Sequence, residues 1–88
     1  MMIHIVQYTN VWSGEKFNMK KISVSLSGHQ TSISLEPEFI DALRDIAHTK
    51  KTSVAAIISN IDATRKIGTN LSSAIRIWIL DYFRRATL

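Results

Sequence analysis

Hydrophobic and polar residues alternate with two different periods along this chain, and the change of period separates strands from helices. Over residues 22–27, Ile22, Val24 and Leu26 fall on one side and Ser23, Ser25 and Ser27 on the other. A period of two describes a half-buried strand. A second alternation covers residues 30–35, but its inward residues Thr31, Ile33 and Leu35 are odd-numbered. A slip of one residue swaps faces, so a turn or bulge belongs at Gly28. A two-residue turn at Ser27-Gly28 would set Val24 opposite Thr31 and Ile22 opposite Ile33. Pairing of residues 30–35 with the same strand of a second copy satisfies the pattern equally well.

From Glu36 onward the period becomes helical. Glu36 stands at an N-cap, Pro37 occupies the first helical position, and Leu35 is placed to staple onto Ile40. Glu38 and Asp41 are placed in the positive first turn of this first helix, and Lys50 and Lys51 follow its negative end. Its predicted buried stripe is Phe39, Leu43, Ile46 and Ala47. A second helix begins with Ser53 (or Thr52) as N-cap and runs to about Thr64. Val54, Ile57, Ile58 and Ile61 form its apolar face, Arg65-Lys66 stand at its end, and Gly68 breaks it. Asn70 caps a third helix that extends to about Arg85. There Leu71, Ala74, Ile75, Trp78, Ile79, Tyr82 and Phe83 cover much of the circumference, which predicts a helix wedged between other elements or placed at a subunit interface.

Residues 1–18 alternate only weakly, around Ile3, Ile5 and Val11, before a Ser13-Gly14 break. They read either as an extension ahead of a translation start at Met19 or as a strand that caps the core. The expected organisation is an extension over 1–18 and one domain over 19–88. The 88 residues, 45% apolar and 20% charged, suit a single globular domain. So small a core usually needs a staple. The chain has no cysteine, and His4, His29 and His48 are too far apart in sequence to suggest a local metal site. Self-association is then the expected source of stability. No apolar run approaches the ~20 residues of a membrane span, and no signal peptide is apparent. The expectation is a cytoplasmic protein without metal or cofactor.

The formal charge is +4. Residues 1–35 carry three Lys against one Glu, residues 36–70 five basic against five acidic, and residues 71–88 three Arg against one Asp. The excess lies at the two ends. A dimer would double it to +8, which makes nucleic acid a natural partner. No nucleophile elbow, phosphate loop or paired metal ligands are present, so the chain is not expected to be an enzyme. His29 has no acid-base partner nearby in sequence and reads as a polar turn residue or phosphate contact. Trp78 reads as core, given its helical spacing with Ile75 and Tyr82.

The stretch Gly28-His29-Gln30-Thr31-Ser32-Ile33-Ser34-Leu35-Glu36-Pro37-Glu38-Phe39 resembles the ribbon-helix-helix proteins, in particular a short bacterial subfamily with a Gly-His-x-Thr-Ser-Ile-Ser-Leu-Glu strand. The run Asn70-Leu71-Ser72-Ser73-Ala74 resembles the same subfamily, and the likeness covers roughly residues 19–85. It implies an α+β, mostly α, fold: a ribbon-helix-helix dimer in which residues 30–35 pair with their twins, with an additional C-terminal third helix. Gln30, Ser32 and Ser34 would face DNA, and Ser53 with the amides of Val54 and Ala55 would anchor a phosphate, since a helix start offers free N–H groups and a positive dipole end. Lys21 and His29 complete the expected DNA contacts. Relatives often carry Arg where this chain has Gln30, and the third helix exceeds the minimal unit. The implied function is a homodimeric transcriptional regulator that inserts an antiparallel β-ribbon into the major groove of double-stranded DNA. The alternative is a dimerisation or protein-interaction module of the same fold that does not read DNA.

Overall fold

The computed structural model describes residues 18–86, so the expectations for residues 1–17 lie outside it. Five elements follow one another: β1 (Lys20–Leu26), β2 (His29–Leu35), α1 (Pro37–Lys50), α2 (Val54–Thr64) and α3 (Leu71–Ala86). The two strands form an antiparallel hairpin, with Ile22 opposite Ile33 and Val24 opposite Thr31. Of the two pairings the sequence permits, the strands adopt the one within the chain. Ser27 and Gly28 both have positive φ, 52° and 83°, as a type I′ turn requires. That turn twists in the same sense as the strands, which is why two residues suffice.

The inner hairpin face and all three helices share one core. Leu35, Leu43, Ile58 and Ile75 are 0% exposed and Ile46 1%, so each major element except β1 contributes a fully enclosed side chain. From β1, Val24 and Leu26 are buried as well. On α1 the buried stripe is Ile40, Leu43, Ile46 and Ala47, while Phe39 is only half-buried. Leu43, Ile46 and Ala47 are buried as the spacing suggested, and only the first position differs: Ile40, in the same core cluster as Leu35, replaces Phe39 in the interior. On α2, Ile57, Ile58 and Ile61 are buried and Val54 packs at the edge of the core.

Helix α3 buries Leu71, Ile75 and Ile79, with Ala74, Trp78 and Tyr82 packed against the core. Trp78 and Tyr82 stack with their centroids 5.8 Å apart. The rest of its apolar surface faces out: Ile77 is 64% exposed and Leu80 57%, with Phe83 also exposed. The wide apolar girth expected of this helix thus divides into a buried face and an uncovered one.

The helix ends follow local chemistry. Asn70 Oδ1 accepts the Ser73 N–H at 3.1 Å, and Ser53 Oγ accepts the Ala56 N–H at 3.0 Å. Glu36 caps α1 through its main chain, its carbonyl accepting the Phe39 and Ile40 N–H groups. At the other end of α1, Lys51 adopts the left-handed conformation (φ 56°, ψ 47°). Its N–H donates to the His48 carbonyl and the Thr52 N–H to the Ala47 carbonyl, a Schellman arrangement that usually holds glycine. Helix α2 stops earlier than Gly68, because Arg65 turns to extended backbone. Gly68 (φ 89°) serves the turn that follows.

Candidate nucleic-acid interface

Alternation places one continuous polar face on the outside of the hairpin. Lys21 lies opposite Ser34, Ser23 opposite Ser32, and Ser25 opposite Gln30. All are exposed except Ser34, which is half-buried. Same-strand neighbours on this face are about 6.8 Å apart, and the two long side chains, Lys21 and Gln30, stand at opposite ends of it. Ser23 and Ser25 were not among the candidate contacts. The alternation over residues 22–27 placed them on the polar side, and the hairpin register puts that side next to Gln30 and Ser32.

Other candidates stand apart from this face. His29 is exposed but pairs with Leu26, so it belongs to the inner side at the turn. Ser53 and Val54 begin α2. The Val54 side chain is engaged with the core, so what this residue can offer a ligand is its backbone N–H. Ser53 Oγ already accepts the Ala56 N–H, which leaves its hydroxyl proton free to donate. Helix α2 has no acidic residue in its first turn, so the positive end of its dipole is not offset there.

The second edge of β2 is open at Gln30 and Ser32, and α3 reaches it at Ser34. Ser72 Oγ donates to the Ser34 carbonyl at 3.1 Å, which shows that this carbonyl points away from β1. Main-chain direction alternates along an antiparallel strand, so the N–H and C=O groups of Gln30 and Ser32 point the same way. They have no main-chain partner among the described residues. A groove runs along this edge, lined by Ser32, Ser34, Asp62, Arg65, Asn70 and Ser72. Within it Arg65 is held by Asp62 (Nε to Oδ1, 2.8 Å) and by the Thr69 carbonyl.

Glu36 ties the end of this sheet to α3. Arg76 donates to its carboxylate at 2.9 and 3.4 Å and lies over the Phe39 ring. Burial raises the Glu36 pKa, but the Arg76 hydrogen bond, a bond from its own backbone and the Arg76 charge outweigh burial and leave it below 4.5. A carboxylate with a lowered folded pKa stabilises the fold above its unfolded value and loses that contribution as pH falls through the folded one. Both side chains are about one-third exposed, so the effect is small, on the order of 0.5 kcal/mol. Urea denaturation on either side of pH 4.5 is expected to show a steeper acid loss for the wild type than for Arg76→Gln. Equal losses would mean that the pair contributes nothing.

The hairpin, the two capped helices and the additional helix are the architecture of a small ribbon-helix-helix domain. A ribbon-helix-helix domain model matches residues 19–83, and the chain belongs to that family. Such domains are generally DNA-binding regulators, typically dimeric and without enzymatic activity. No curated protein and no solved structure gives a significant match to the chain. No helix among the described residues is long and apolar enough to cross a membrane.

Proposed function

We propose that this protein is a homodimeric DNA-binding transcriptional regulator that presents the outer sheet face to the major groove and holds a phosphate at the start of α2. The observation that supports this most is the pairing of that polar face with an unpartnered β2 edge. A second copy adding at the edge gives the order β1-β2-β2-β1, and the exposed Ile77 and Leu80 offer further apolar surface for self-association. Strands lie about 4.8 Å apart, so the outer strands of such a sheet are about 14 Å apart, against a groove ~12 Å wide. The central β2 pair then faces the groove, and the β1 strands, with Lys21, lie over its lips near the phosphates.

Gln30 is the one long side chain with both donor and acceptor on β2's outer face. Its amide can engage adenine N6 and N7 together, worth roughly 1–3 kcal/mol of discrimination. Ser32 and Ser34 reach less far. The test is fluorescence anisotropy on a duplex selected from a random pool and on its scrambled counterpart, with sedimentation velocity reporting the dimer. Gln30→Ala is expected to lose the preference while keeping nonspecific binding. Ser53→Asp keeps a good cap but repels phosphate, so it should weaken both duplexes alike. Unchanged preference in Gln30→Ala would remove the sheet as the reading element.

The width of a four-stranded sheet and the short serine side chains favour a second reading, a dimeric interaction module that does not read DNA. Absence of duplex binding by a dimeric wild type would select it.

A further inference from the structure

The end of α1, with Lys50 and Lys51, lies beside the last turns of α3, which carry Arg84 and Arg85. Lys50 Nζ lies 5.6 Å from the centroid of the Tyr82 ring, which brings the last turn of α1 against the last turns of α3. Arg84 and Arg85 follow Tyr82 within one helical turn, and Lys51 follows Lys50. All four cationic side chains are exposed. Asp81, the only acidic residue of α3, is paired with Arg85 at 2.8 Å. Lys50 and Lys51 have no carboxylate partner among the described residues. Lys50 and Lys51 therefore carry positive charge that no described carboxylate offsets, in a segment that leads directly to Ser53 at the start of α2.

We propose that Lys50, Lys51, Arg84 and Arg85 form a phosphate-contacting surface for duplex DNA, through which the third helix extends the contact made at Ser53. The proposal rests on the DNA-binding reading above. Two features fit a polyanionic backbone better than a single small anion. The charges lie on two different elements, all on exposed side chains, and Lys51 adjoins the helix start assigned to another phosphate. The third helix thereby has two duties: its buried face completes the core, and its end carries charge to the junction between α1 and α2.

Basic residues at helix ends also offset the negative pole of the dipole. A role confined to that would lower the melting temperature of a neutral variant and leave DNA binding unmoved. The discriminating quantity is the slope of log affinity against log salt for a mixed-sequence duplex, since each phosphate neutralised contributes about 0.9 to it. Lys50→Gln/Lys51→Gln and Arg84→Gln/Arg85→Gln are each expected to reduce the slope by up to about 1.8 per protomer bound. Arg44→Gln, nearly two turns earlier on α1 and next to Asp41, is the control for a charge change alone and should leave the slope near its wild-type value. Wild-type slopes in both double variants overturn the proposal while leaving the DNA-binding reading intact. An equal reduction in Arg44→Gln also overturns it, because net charge would then explain the effect. Failure of the wild type to bind any duplex removes both readings together.

Discussion

Ile75→Ala is expected to lower the unfolding free energy by about 3–4 kcal/mol, close to the upper part of the range for truncating a buried aliphatic residue. Ile75 is 0% exposed and shares the core with Leu35, Leu43 and Ile58. Its removal leaves a cavity on the face of α3 that packs against β2, α1 and α2, and such packed elements collapse only partly into the space. A domain this small has a total stability of only about 5–10 kcal/mol, so much of the margin disappears with one side chain. Ile77→Ala, two residues away on the exposed side of the same helix, should change monomer stability by less than about 0.5 kcal/mol. Urea denaturation of the two variants measures the difference directly. Equal, small effects would make α3 an appendage of a strand-helix-helix unit instead of a wall of its core.

Gly28→Val is expected to cost about 2 kcal/mol. The reason is backbone geometry alone, because a Cβ built on Gly28 meets nothing within 4 Å. At φ 83° a β-branched side chain collides with its own main chain. Ser27, also at positive φ, has already taken part of that strain, and Ser27→Asn should relieve some of it, since asparagine tolerates the left-handed region better. Thermal melts of the two variants are expected to move in opposite directions. A Gly28→Val protein as stable as the wild type would mean that the Ser27-Gly28 turn is not what joins β1 to β2.

The Gly28 result bears on the least legible part of the sequence. Alternation showed both strands and the phase slip between them, and it correctly gave the register of an internal hairpin. It could not choose between that hairpin and pairing with a second copy. Both arrangements bury the same side chains, and main-chain hydrogen bonding is indifferent to which chain supplies the partner. The interface was legible to a similar depth. Gln30, Ser32 and Ser34 were readable as outward from their parity, whereas Lys21 and His29, both polar and near the ends of their strands, fall on opposite faces. That separation follows from the Leu26–His29 and Lys21–Ser34 pairs, and only register reveals it.

The elements determined by sequence alone are those governed by neighbours within a few residues. The caps at Ser53 and Asn70, Pro37 at the start of α1 and the strand alternation all arise from local hydrogen bonding and sterics. What the tertiary structure decided involves distant partners. The Glu36 carboxylate serves Arg76 instead of its own helix, at a separation of 40 residues. Ile40 displaces Phe39 from the interior because the position of the core, set by the hairpin and α3, decides which of two adjacent apolar residues points inward. Helix α3 has apolar residues on most of its circumference, so its own sequence allows several buried faces. Packing against β2, α1 and α2 selects Leu71, Ile75 and Ile79, since only that face meets surfaces already committed to the core.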